Sequence, residues 1–170
     1  MIEIQKHVYV EKEFKDSWLE TNEFGDSYIK EELQGGYHYH FDQQFLEIFF
    51  NTSGKIELYN YSIKKNDLII SGEMIPPKTI RLVHPHLDNV TSEGVIIHEL
   101  GHYFDEKHQF SSSKQFTELY KKYRTLFNQK TKKEYFAECF KEYVGGHQEK
   151  VKPFHSYMKT ITQKIRQKNK

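Results

Sequence analysis

The apolar residues follow two different rhythms along this chain. Over the first 85 residues or so the pattern is mixed. Phe14, Trp18 and Leu19 fall at helical spacing and predict a short helix over residues 12–22. Gly35-Gly36 predicts a break. Residues 45–50 and 56–63 are rich in aromatic and β-branched side chains, with Asn51-Thr52-Ser53-Gly54 between them, which predicts a β-hairpin. Residues 67–71 and 79–84 predict two more short strands, joined by a loop over 72–78 that carries Pro76-Pro77.

The second half is helical in period. Residues 91–108 predict a helix, with Asn89 or Thr91 as cap and Glu93 in the first turn, where a negative charge suits the helix dipole. Phe116, Leu119, Tyr120 and Tyr123 form a second stripe. Tyr135, Phe136, Cys139, Phe140 and Tyr143 form a third, ended by Gly145-Gly146. Pro153 suits the first turn of a last helix with Phe154, Tyr157, Met158 and Ile161 on its apolar face. The basic tail beyond Lys159 reads as that helix's solvated end. The expected fold class is therefore α+β, with a small mixed sheet over about 1–88 and helices over about 89–170, in a single domain spanning 1–170.

Composition changes this picture little. Only 36% of residues are hydrophobic, but 13 Phe and 12 Tyr bury much area each, so a packed core is expected. The formal net charge of +1 gives no reason to expect nucleic acid or a membrane surface as partner. No apolar run approaches the roughly 18 residues that span a bilayer. Cys139 is the single cysteine, which excludes an intrachain disulfide. The opening Met1-Ile2-Glu3-Ile4-Gln5-Lys6 lacks the basic-then-apolar order of a secretion signal, so both a cytoplasmic and a secreted location stay open. The abundance of Lys, Asn, Ile, Phe and Tyr suggests an AT-rich bacterial source. Oligomeric state is left open.

Residues 98–102 read His-Glu-Leu-Gly-His, behind the apolar run Val95-Ile96-Ile97. On a helix, positions i and i+4 share a face, so His98 and His102 aim two imidazoles at one point. Glu99 is next around that face. Two neutral nitrogen ligands and an adjacent carboxylate base are what zinc-assisted peptide hydrolysis requires. Gly101 leaves room for close approach beneath the site.

A catalytic zinc needs a third protein ligand. His108 stands six residues after His102, the metzincin spacing, but Asp105 replaces the glycine that lets such a chain turn back; a solvated helix-end histidine is the expectation there. Glu134 and Glu138, four apart in Glu134-Tyr135-Phe136-Ala137-Glu138-Cys139-Phe140, share a helix face. One carboxylate could bind zinc and the other orient a ligating histidine; equally, both could be solvated charges.

HELGHYFDE followed 36 residues on by EYFAECF, with Val151-Lys152-Pro153-Phe154-His155-Ser156-Tyr157 closing, resembles the catalytic domain of anthrax toxin lethal factor and its smaller relatives, including the Pro-Pro endopeptidases. The resemblance covers about residues 90–165. It implies a zincin-like fold of gluzincin type and a zinc endopeptidase acting on a peptide or protein substrate. It further implies His98, His102 and Glu134 as zinc ligands, Glu99 as general base and Glu138 as the carboxylate behind the ligands.

One departure stands out. The family has a tyrosine seven residues before the glutamate ligand, where its hydroxyl assists the oxyanion or leaving group. Here that position is Phe127, which has no proton to offer. Tyr123, one turn earlier, or Tyr120, further still, could substitute if the loop after the helix is slipped in register. Without a donor, the alternative is a catalytically weak or inactive zincin-fold binding module. Two further pairs, His38/His40 and His84/His86, have strand spacing that could suit a second metal, though exposed strand-end or loop histidines are the expectation; His84 and His86 precede the motif helix and could line the cleft. The extended peptide is expected to lie beside an edge strand, taken as residues 79–84.

Overall fold

The computed structural model describes residues 1–84, 93–129 and 131–168. Strands β1 (Ile2–Gln5), β2 (Val8–Val10), β3 (Lys55–Tyr59), β6 (Gly72–Ile75) and β7 (Thr79–Val83) form one sheet in the order β1-β2-β3-β7-β6. Its middle is parallel, with β3 paired to both β2 and β7, and its flanking pairs β1/β2 and β6/β7 are antiparallel. Alternation along the strands sets the faces. Val8, Val10, Ile56, Leu58, Ile80 and Leu82 all point into the core and are fully buried. On the other face Arg81 bridges Glu57 and Glu73 of its neighbouring strands, at 3.2 and 3.3 Å. A separate antiparallel hairpin, β4 (Ile63–Lys65) with β5 (Leu68–Ile70), leads into β6.

Helices cover the apolar face. In the first half these are α1 (Lys15–Leu19), α2 (Tyr28–Leu33) and α3 (Gln44–Asn51); in the second, α4 (Val95–His108), α5 (Lys114–Tyr123), α6 (Lys132–Val144) and α7 (His155–Gln167). The architecture is the expected α+β, with a small mixed sheet first and the helices that carry the histidines second.

Several expected elements differ. Residues 45–50 are helix, not the first arm of a hairpin. Phe45, Leu46, Ile48 and Phe49 are buried, an i, i+1, i+3, i+4 set that fits a helix face, and it overrode their β propensity. Asn51-Thr52-Ser53-Gly54 therefore turns out of α3 into β3, closed by Gly54 N–H donating to the Phe49 carbonyl. The strand expected over 56–63 stops at Tyr59. Residues 72–75, expected as loop, are strand β6, and Pro76-Pro77 (a cis peptide) sits in the turn to β7. Near the N-terminus a 3₁₀ turn, Lys12–Phe14, precedes the five-residue α1. The active-motif helix begins at Val95 with Gly94 as its cap; the proposed caps Asn89 and Thr91 lie outside the described residues. Pro153 belongs to a 3₁₀ segment, Gln148–Phe154, and α7 starts just after it. Arg166, in the tail expected to be solvated, instead pairs with Asp42 at 2.7 Å and lies over the Phe45 ring.

Candidate metal centre

The centre is built where α4 crosses α6. Both helices are amphipathic with unusually tight contact. A Cβ built on Gly101 would lie 3.0 Å from the Ala137 Cα. Glycine and alanine at the crossing let the backbones approach closely, and that approach brings the charged face of α6 over the histidines of α4. Helix α6 starts on a capped end, where the Thr131 hydroxyl accepts from Glu134 N–H.

His98 and His102 project from one face of α4, and Glu134 meets them from the first turn of α6. Glu134 Oε2 is 3.1 Å from His98 Nε2, and its Oε1 is 3.3 Å from His102 Nε2. The three ligand atoms all lie within 4.8 Å of one another, and this is the one such group among the described residues. A tetrahedron with zinc–nitrogen and zinc–oxygen bonds of about 2.0–2.2 Å has edges near 3.3 Å. The donor set, two imidazole nitrogens and a carboxylate oxygen, and its spacing thus fit a zinc ion. The contacts with His102 and His98 hold the Glu134 carboxyl well below its usual range.

Glu138 lies one turn beyond Glu134. Its Oε2 faces His98 Nδ1 at 3.2 Å. An Nδ1–H donated to this carboxylate leaves the Nε2 lone pair aimed at the ligand position. Burial disfavours the charge on Glu138, but the His98 and Lys141 contacts outweigh burial and lower its pKa. Burial also disfavours charging His98, yet its contacts with Glu134 and Glu138 and the charge of Glu99 push it up to about 9.

Glu99 is buried, and burial raises its pKa against the opposing charges of His98 and His102. The Met74 backbone of β6 lies on the same cleft and favours the charged form of its carboxylate. The outer strand β6 therefore runs beside Glu99. A cleft of about 670 Å³ runs over these groups, with β6 along one wall and Glu134 and Glu138 on the other.

Other residues expected near the site fall elsewhere. Tyr123 does not line the cleft: its ring packs on Phe154 and its carbonyl accepts the Tyr135 hydroxyl. Phe127 packs edge-on against Tyr135, 5.3 Å between centroids. Among the described residues no tyrosine lines the cleft. His108 is half-buried against Phe110, not solvated, and far from a ligand role. His84 is buried between Trp18 and Tyr28 with Nε2 3.2 Å from the Ser17 carbonyl, so it is a core residue and does not face the cleft; His86 lies outside the described residues. The His38 ring meets Glu93 at 2.8 Å. The strand expected to bind peptide, β7, is internal to the sheet, between β3 and β6; the outer strand is β6. Sequence reading also passed over the Met74 contact, which is made by backbone and leaves no residue signature. It passed over Lys141 as well, although the i, i+3 spacing from Glu138 was visible.

No protein-family model matches the chain, and no curated protein matches it. Among solved structures, the Pro-Pro endopeptidase of Paenibacillus alvei is similar with a TM-score of 0.64 at 15% identity, over 92% of this chain and 97% of that one. The fold is zincin-like. At this identity the likeness speaks to the fold, and the chemistry rests on the residues above.

Proposed function

We propose that this chain is a zinc-dependent endopeptidase of gluzincin type, with His98, His102 and Glu134 as ligands. The observation that carries this is the meeting of those three side chains beside a buried carboxylate and an edge strand. Zinc held there would act as a Lewis acid on the scissile carbonyl and bring the pKa of water to about 7.

Glu99 takes the proton from the attacking water and returns it to the leaving nitrogen. Glu138 holds His98 in the ligating tautomer. The substrate is a peptide or protein segment that adds to β6 as a further strand, giving main-chain hydrogen bonds along the cleft wall. No helix among the described residues is long and apolar enough to cross a membrane.

A second reading has its own support. With Phe127 against Tyr135 and Tyr123 against Phe154, no tyrosine hydroxyl is on the cleft wall among the described residues. Loss of one preorganised oxyanion donor costs about 100- to 1000-fold in rate. The chain would then be a slow enzyme or a zincin-fold module that binds peptides without turning them over.

Turnover of a diverse peptide library by wild type and Glu99→Gln separates the readings. Cleavage by wild type that falls by at least about 100-fold in the variant, with zinc retained, supports the peptidase. Equal activity in both would sink the role of Glu99. A zinc-loaded wild type inert on every peptide favours the binding module.

A further inference from the structure

Behind Glu138 lies a chain of charged groups that the proposed chemistry does not use. Glu138 gives one oxygen to His98. Its other oxygen, Oε1, is 2.6 Å from Lys141 Nζ. Both side chains are only 15% exposed, so the pair is largely withdrawn from water and its geometry is fixed. Lys141 also lies 3.7 Å from Glu142 Oε1 and over the Tyr39 ring. Glu142 is buried and fully engaged. Oε1 accepts the Tyr39 hydroxyl at 3.0 Å, while Oε2 meets His147 Nδ1 at 3.0 Å and Lys150 at 3.2 Å.

The backbone makes room for this arrangement. A Cβ on Gly145 would stand 2.3 Å from Tyr39 Cδ1, so only glycine lets Tyr39 lie against the end of α6. Tyr39 is secured there by His40 N–H donating to the Gly145 carbonyl at 2.8 Å. The ammonium of Lys141 is thus held on both sides, by Glu138 toward the histidine and by Tyr39 and Glu142 from behind.

We infer that Lys141 is a positioning residue for the metal centre, acting through Glu138 to hold His98 in its ligating orientation. This rests on His98, His102 and Glu134 being the zinc site. Without the ammonium, Glu138 is a partly buried carboxylate with one oxygen unpaired, free to turn toward the cleft water or its own helix. The bond that orients His98 then weakens. Groups that support a metal ligand in this way typically change affinity about 10- to 100-fold when lost; Lys141, one contact further out, is expected at the lower end, about tenfold.

The test measures zinc affinity by competition with a chromophoric chelator in wild type, Lys141→Met, Lys141→Arg, Glu138→Gln and the double variant Glu138→Gln/Lys141→Met. Lys141→Gln replaces Lys141→Met if the latter does not fold. The expected result is about tenfold weaker zinc binding in Lys141→Met, recovery in Lys141→Arg, and less than about a twofold further effect of Lys141→Met once Glu138 is already Gln. Wild-type affinity in Lys141→Met, or an undiminished loss in the Glu138→Gln background, overturns the inference while leaving the zinc site standing. A wild type that takes up no zinc overturns the site itself, and the inference with it.

Discussion

Gly101 on α4 lies so close to Ala137 on α6 that a single added methyl would meet the Ala137 Cα at 3.0 Å. That contact sets how near Glu134 comes to the two histidines. Gly101→Ala is expected to destabilise the fold by about 1–3 kcal/mol through overpacking, despite alanine's better helix propensity. It should also weaken zinc binding, since α6 must move away. Thermal melts and chelator competition on the same preparation check both effects.

Glu32 is half-buried, and no cation among the described residues offsets that burial. Burial, then the charges of Glu31 and Glu93, raise its pKa from 4.5 to about 8. The folded state therefore binds a proton more tightly than the unfolded one. The resulting stability is fully present below pH 4.5 and is lost as pH rises through about 8. Glu32→Gln is expected to melt higher than wild type at pH 8.5 and to show no such advantage at pH 4.5. Melting temperatures across that range decide it.

His108 behaves in the opposite sense. Burial, followed by the charges of Lys168, Lys107 and Lys164, lowers its pKa from 6.5 to about 4, and its Nε2 has no hydrogen-bond partner among the described residues. The folded state holds it neutral. Stability is therefore present above pH 6.5 and declines as pH falls toward 4. His108→Leu should remove that decline, gaining on wild type at pH 5 and gaining less at pH 7.5.

Much of the site was legible because its geometry is local. His98, Glu99 and His102 follow from helical spacing, as does the shared face of Glu134 and Glu138. That α6 would cross α4 at Gly101 depends on tertiary packing, and only the resemblance to known peptidases tied the two motifs together. The fold was less legible in the first half. The sequence of α3, Phe-Leu-Glu-Ile-Phe-Phe, satisfies both a strand's composition and a helix's spacing, and burial of Phe45, Leu46, Ile48 and Phe49 decided between them. Strand β6 was hidden by Gly72 and the following prolines, although it is the strand that touches Glu99. Tyr123 illustrates a similar limit: one helical turn before Phe127, its ring packs toward Phe154.

Zinc stoichiometry by elemental analysis, on wild type and Glu134→Ala after reconstitution and desalting, tests the central claim most directly. The account predicts close to one zinc per chain in wild type and loss of most of it in the variant, because the carboxylate closing the site from α6 is gone. No zinc in wild type, or undiminished zinc in Glu134→Ala, would contradict it.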